Sequence, residues 1–107
     1  MQPSRGDVVL LDFPFSDLKG KKMRPALVLV ARPTEITVAF ISSQAHKAEA
    51  DDLLFPPATH SGLSKLSFLR VSKVATLDLK QIHLGLGRFT ANEMQRVDDT
   101  MRRVYQL

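Results

Sequence analysis

The stretch PALVLVARPTEITVAFIS, Pro25 to Ser42, reads as two β-strands joined by a tight turn, and that reading sets the fold. Pro25 to Ala31 is a short apolar run rich in Leu and Val, bounded by prolines, which fits a buried strand better than a helix. Pro25 takes the first strand position, where no ladder donor is needed. Arg32, Pro33 and Thr34 form the turn. Glu35 to Ser42 alternates apolar and polar residues and forms the return strand. Residues of an antiparallel hairpin face one another symmetrically about its turn. A turn centred on Pro33 sets Arg24 opposite Ser42. A turn centred between Pro33 and Thr34 sets it opposite Ser43. Either register brings a cation at one strand's start to a hydroxyl at the other's end.

Upstream, GDVVLLDFPF (Gly6 to Phe15) carries a near-continuous apolar run from Val8 to Leu11 and reads as another buried strand. Between the two strands, SDLKGKKM (Ser16 to Met23) is polar and reads as a loop bearing Lys19, Lys21 and Lys22. Downstream, Gln44 to Lys65 is polar and irregular, with Leu53 to Phe55 as a short strand. Leu66 to Val71 and Lys73 to Leu77 form two short strands or one bent one. Asp78 to Ile82 fits a helical turn, and His83 to Phe89 a further strand. Thr90-Ala91-Asn92-Glu93 is a capping-box pattern. Met94, Val97, Met101 and Val104 follow at helical spacing, predicting a helix from Ala91 to about Tyr105. Its apolar stripe suits a core or a dimer contact. The expected architecture is mostly β (α+β): a small barrel-like sheet with a C-terminal helix, in one domain spanning residues 1–107.

Fifteen basic residues against eleven acidic ones give the 107-residue chain a net charge of +4, compatible with a polyanionic partner. There is no cysteine, which excludes disulfides, thiol catalysis and Cys-ligated zinc and fits a cytoplasmic location. No apolar run approaches the roughly 20 residues of a membrane-spanning helix, and no signal peptide is expected. The scattered Asp7, Asp12, Asp51, Asp52 and Asp78 match no metal motif, so neither metal nor cofactor is expected. Asp7 reads as a brace for the first strand or loop. His46 and His60 lie in polar segments, and His83 reads as packed within a strand.

GDVVLLDFPF, followed after a polar loop by RPALVLV, resembles the MazF/PemK family of toxin ribonucleases. AFISSQ (Ala39 to Gln44), SGLSKLSFLRVSKVATLD (Ser61 to Asp78) and GRFTANEM (Gly87 to Met94) are similar to later parts of the same family. The likeness covers nearly the whole chain. It implies an SH3-like barrel, a homodimer and a cognate antitoxin protein. It also implies metal-independent, sequence-specific cleavage of single-stranded RNA, often messenger RNA. The implied reaction is attack of the ribose 2′-hydroxyl on the adjacent phosphorus, leaving a 2′,3′-cyclic phosphate and a 5′-hydroxyl end.

On that resemblance, Arg24 matches the family's arginine before proline. A guanidinium presents a fixed fork of donors to two phosphate oxygens and is a poor base, so its expected role is charge stabilisation, with proton delivery to the leaving group. Ser42 matches the family's third-strand Thr or Ser, expected to hold the phosphate or orient the 2′-hydroxyl. Arg70, the third residue expected to be catalytic, matches an arginine that some members use in a later strand, where an acidic residue follows two positions on. Ser72 stands there in this chain, which leaves the general base unnamed. Lys19, Lys21 and Lys22 are expected to guide phosphates, with Ser43 and Ser72 as further RNA contacts. Phe15 is either a base-stacking ring or a core aromatic. Two alternatives share the fold: a non-enzymatic toxin of the gyrase-inhibitor type, and a relative that binds RNA without cutting it.

Overall fold

The hairpin is the centre of a six-stranded antiparallel sheet in the computed structural model, which describes residues 2–13, 22–44 and 47–107, without the side chains of Phe13 and Lys22. The strands are β1 (Asp7–Phe13), β2 (Lys22–Ala31), β3 (Glu35–Ser42), β4 (Leu53–Phe55), β5 (Ser67–Asp78) and β6 (Ile82–Arg88). A 3-10 turn at Leu79–Gln81 joins β5 to β6, and helix α1 (Ala91–Tyr105) closes the chain. The sheet order is β4-β5-β3-β2-β1-β6. This is the mostly-β sheet with one C-terminal helix that the strand and capping patterns predict.

Two elements differ from expectation. β2 begins at Lys22, not Pro25, because Lys22, Met23 and Arg24 pair with Phe13, Asp12 and Leu11 of β1. Lys22 and Met23 end a largely polar segment that reads as loop, but backbone pairing with a neighbouring strand requires no apolar residue. The stretch from 67 to 78 is one bent strand: Phe40 faces Arg70 while Ala39 faces Val74, so residues 71–73 form a bulge.

Both predicted hairpin registers occur, in different halves. Near the turn, Val30 faces Thr37 and Ala31 faces Ile36, symmetric about the Pro33–Thr34 bond. A shift between Val28 and Val30 then sets Val28 against Val38 and Ala26 against Phe40, symmetric about Pro33. Extended two residues, this second register brings Arg24 level with Ser42. Ser43 lies beyond the end of β3 and is not its counterpart.

Strand alternation buries both faces of the sheet. Val8, Leu27, Leu29, Ala39, Ile41, Leu69 and Val71 face α1, where they meet Val97 and the partly buried Met94, Met101 and Val104. The helix stripe is therefore core. Val9, Leu11, Ala26, Val28, Ile36 and Val38 form a second core on the opposite face, capped by Phe40, Leu77, Leu79 and Ile82. At roughly 1.5–3 kcal/mol for each fully buried large aliphatic side chain, both cores hold the sheet's curvature. The connection from β4 to β5 ties the two sheet edges together. Arg88 N donates to His60 O at 2.8 Å. Gly62, at φ +74°, packs so closely that a Cβ would lie 2.2 Å from Leu86 O. Only glycine fits both that conformation and that approach.

Candidate functional site

Arg24, Ser42 and Arg70, three of the residues on which the chemistry is expected to rest, share the sheet face opposite α1. Because i and i+2 share a face, Arg24 lies on the side of Ala26 and Val28, and Ser42 on the side of Phe40 and Val38. Ser42 pairs with Phe68, and Phe40 with Arg70. Two adjacent rows result. One runs Arg24, Ser42, Phe68, Leu54; the next runs Ala26, Phe40, Arg70 and, one step beyond the Leu53–Leu69 pair, Asp52. Rows lie about 7 Å apart along the strands and neighbouring strands about 4.8 Å apart. The Arg24 and Arg70 side chains are each long enough to reach toward the space between them.

The two arginines stand in opposite surroundings. Arg24 is exposed, and its side chain makes no hydrogen bond or ion pair among the described residues. Arg70 is mostly buried, its side chain 21% exposed. Its guanidinium binds Glu49 Oε1 through Nη2 and lies 3.7 Å from Asp52 Oδ2 through Nε. The Asp52 carboxylate is 1% exposed. Ser42 is half-buried, and its Oγ accepts from Gln44 N at 3.1 Å, which orients the hydroxyl at the strand end.

Ser43 is exposed beyond β3, and Ser72 is exposed within the β5 bulge. Phe15, Lys19, Lys21 and His46 lie outside the described residues, as does the side chain of Lys22. His60 sits across the molecule, where its Nε2 meets Glu93 Oε1 at 2.9 Å beside the start of α1. His83 lies in β6 as expected but is exposed instead of packed. Asp7 braces the N-terminal turn, accepting from Ser4 N at 2.8 Å and from Arg88 Nη1.

Glu49, Phe40 and Phe68 escaped the sequence reading. For Phe40 a signal was present, since period-two alternation in EITVAFIS places it on the face of Ser42. Phe68 stands two before Arg70 on the same face. Glu49 carries no such signal: its contact with Arg70, 21 positions away, exists only once β4 pairs with β5. Asp52 was noticed only as a scattered acid.

Known proteins share this fold. The family described as PemK-like, MazF-like toxin of type II toxin-antitoxin system matches residues 4–105. The chain is 30% identical over 111 residues to a protein named endoribonuclease MazF6 from Mycobacterium tuberculosis, covering 97% of each chain. The MazF of a MazE–MazF crystal structure from Deinococcus radiodurans superposes with a TM-score of 0.80 at 21% identity, covering 100% of this chain and 98% of that one. The M. tuberculosis toxin MazF-mt6 superposes with a TM-score of 0.74 at 19% identity, covering 94% and 97%. The signature strands, the sheet order and these likenesses agree along nearly the entire length: the chain belongs to the PemK-like, MazF-like toxins of type II toxin–antitoxin systems.

Proposed function

We propose that this chain is the toxin of a type II toxin–antitoxin system and an endoribonuclease that cuts single-stranded RNA, messenger RNA above all, at a short sequence. The reading is supported by Arg24, exposed and without a counter-charge among the described residues, which the β2–β3 register extended by two residues brings level with Ser42, on a face shared with Arg70, in a chain of this family. Arg24 holds two oxygens of the scissile phosphate and stabilises the charge that develops there, commonly the largest catalytic contribution. Ser42 positions the phosphate or the 2′-hydroxyl. The 2′-oxygen attacks the adjacent phosphorus without a metal, leaving a 2′,3′-cyclic phosphate and a 5′-hydroxyl end. Ser43, Ser72 and the lysines at 19, 21 and 22 contact RNA beyond the scissile phosphate, and Phe15 stacks on a base. The toxin acts in the cytoplasm as a homodimer and is neutralised by an antitoxin protein. The MazE–MazF complex of D. radiodurans supports the antitoxin.

Purified protein incubated with a long mixed-sequence mRNA in EDTA is expected to cut it, leaving those ends. No cleavage, or cleavage leaving a 3′-hydroxyl, overturns the reading. Arg24→Ala is expected to abolish both cleavage and growth inhibition with an unchanged far-UV circular dichroism spectrum. Toxicity that survives the substitution, with stabilised gyrase–DNA cleavage complexes, points to the non-enzymatic alternative.

A further inference from the structure

Arg70 is surrounded in a way that suits a phosphate ligand poorly. Two carboxylates, Glu49 and Asp52, meet its single positive charge, so the cluster is acidic overall. An anionic RNA phosphate has little to gain there, whereas Arg24 offers an open cation two strands away. A site that must bind a phosphate and accept a proton needs both kinds of surroundings.

The acidic segment is built to hold one geometry. Glu49 N donates to Asp52 Oδ2 at 2.8 Å, and Asp52 N donates to Glu49 O at 3.1 Å. Helix α1 clamps the same stretch from the other side. Arg103 Nη1 binds Asp51 Oδ1 at 2.8 Å, and Arg96 donates to Leu54 O at 3.3 Å while stacking over Phe55. Asp52 is enclosed, and among the described residues its Oδ1 has no hydrogen-bond partner. Glu49, by contrast, is 53% exposed, open to substrate on one side and bound to Arg70 on the other.

We propose that Glu49 is the proton acceptor for the 2′-hydroxyl, and that Arg70 and Asp52 are positioning residues that hold its carboxylate. This rests on the RNA-cleaving reading above. Glu49 supplies from the β4 approach the carboxylate that Ser72 does not. In the step, Glu49 takes the 2′-hydroxyl proton as the O2′–P bond forms and the P–O5′ bond breaks. The departing 5′-oxygen takes a proton from water beside Arg24, and the hydroxide left behind is neutralised by the proton on Glu49. Atoms and charge therefore balance, with the enzyme restored.

The test is the pH profile of kcat/KM on an oligonucleotide containing a mapped cleavage site. Wild type, Arg24→Ala, Glu49→Gln and Asp52→Asn are compared, with thermal melts to verify folding. Glu49→Gln is expected to lose about 100-fold or more in kcat, with KM changed less than about 3-fold, and to lose the falling acid limb of the profile. Asp52→Asn is expected to lose up to about 100-fold in kcat while keeping that limb, since the base is displaced but present. A Glu49→Gln enzyme that keeps the acid limb, or binds RNA more tightly and cuts as fast, overturns the proposal: Glu49 is then a counter-ion that substrate displaces. If wild type leaves no cyclic phosphate, the functional reading fails and this inference with it. If wild type and Arg24→Ala behave as expected and Glu49→Gln does not, only this inference fails.

Discussion

Arg24 and Arg70 share residue type and sheet face, yet their surroundings differ. Arg24 has no counter-charge among the described residues. Its value lies in the fork of donors as well as the charge, which gives a sharp prediction at this scale. Arg24→Lys keeps the charge and loses the bidentate geometry, and kcat is expected to fall by about 100- to 1,000-fold. Stability should stay within about 0.5 kcal/mol, because the side chain is exposed and makes no ion pair among the described residues. Single-turnover cleavage beside a denaturant titration checks both; near-wild-type cleavage would make Arg24 a mere attracting charge. Hairpin symmetry made the Arg24–Ser42 relation legible, because both residues belong to one local unit. The surroundings of Arg70 were illegible for the opposite reason. Its partners arrive through β4, whose place beside β5 is decided by the whole sheet.

Helix α1 is the element whose limits the sequence marks most clearly, because a cap is local chemistry. Thr90 Oγ1 accepts from Glu93 N at 3.1 Å, and Glu93 Oε1 accepts from Thr90 N at 2.8 Å. Thr90→Ala is expected to cost about 1 kcal/mol, read as a lower denaturant midpoint with unchanged slope. The same box gives a pH dependence. Partial burial pushes the Glu93 carboxyl up, but the Thr90 backbone bond and the contact with His60 outweigh it, and the group sits below its ordinary value of 4.5. A carboxyl lowered in the folded state stabilises fully above its unfolded value, and that contribution fades as pH falls below 4.5 through the folded value. Stability followed from about pH 6 down to about pH 3 should drop less steeply in Glu93→Gln than in wild type. Equal slopes would mean that the box holds no ionised carboxylate. The start of β2 and the bulge in β5 lacked such markers. A polar Lys22–Met23 segment becomes strand only because β1 lies beside it, and the break at residues 71–73 reflects β5 following the curve of β3.

For the molecule as a whole, the distribution of charge matters more than its sum. The net charge of +4 is modest, and many of the arginines are already paired. Arg5 with Asp98, Arg88 with Asp7, Arg103 with Asp51 and Arg102 with Asp99 form ion pairs around α1 and the N-terminal turn. The sheet face opposite the helix holds Arg24, unpaired among the described residues. Attraction for RNA should therefore be polarised across the molecule, even though the sequence spreads basic residues along its length. Each phosphate neutralised on single-stranded RNA contributes about −0.7 to the slope of log affinity against log salt. An oligonucleotide carrying 2′-deoxyribose at the cleavage position removes the attacking hydroxyl, so binding is measured without cutting. On that ligand Arg24→Ala should bind more weakly and flatten the slope by about 0.7, the loss of one phosphate contact. Arg102→Ala removes a charge of the same kind from a helix position already facing Asp99, and should leave the slope unchanged. The two variants have identical net charge, so net attraction alone predicts equal effects. Equal flattening would show that RNA is drawn to the molecule at large, and that the opposed faces of the sheet make no distinction the ligand can feel.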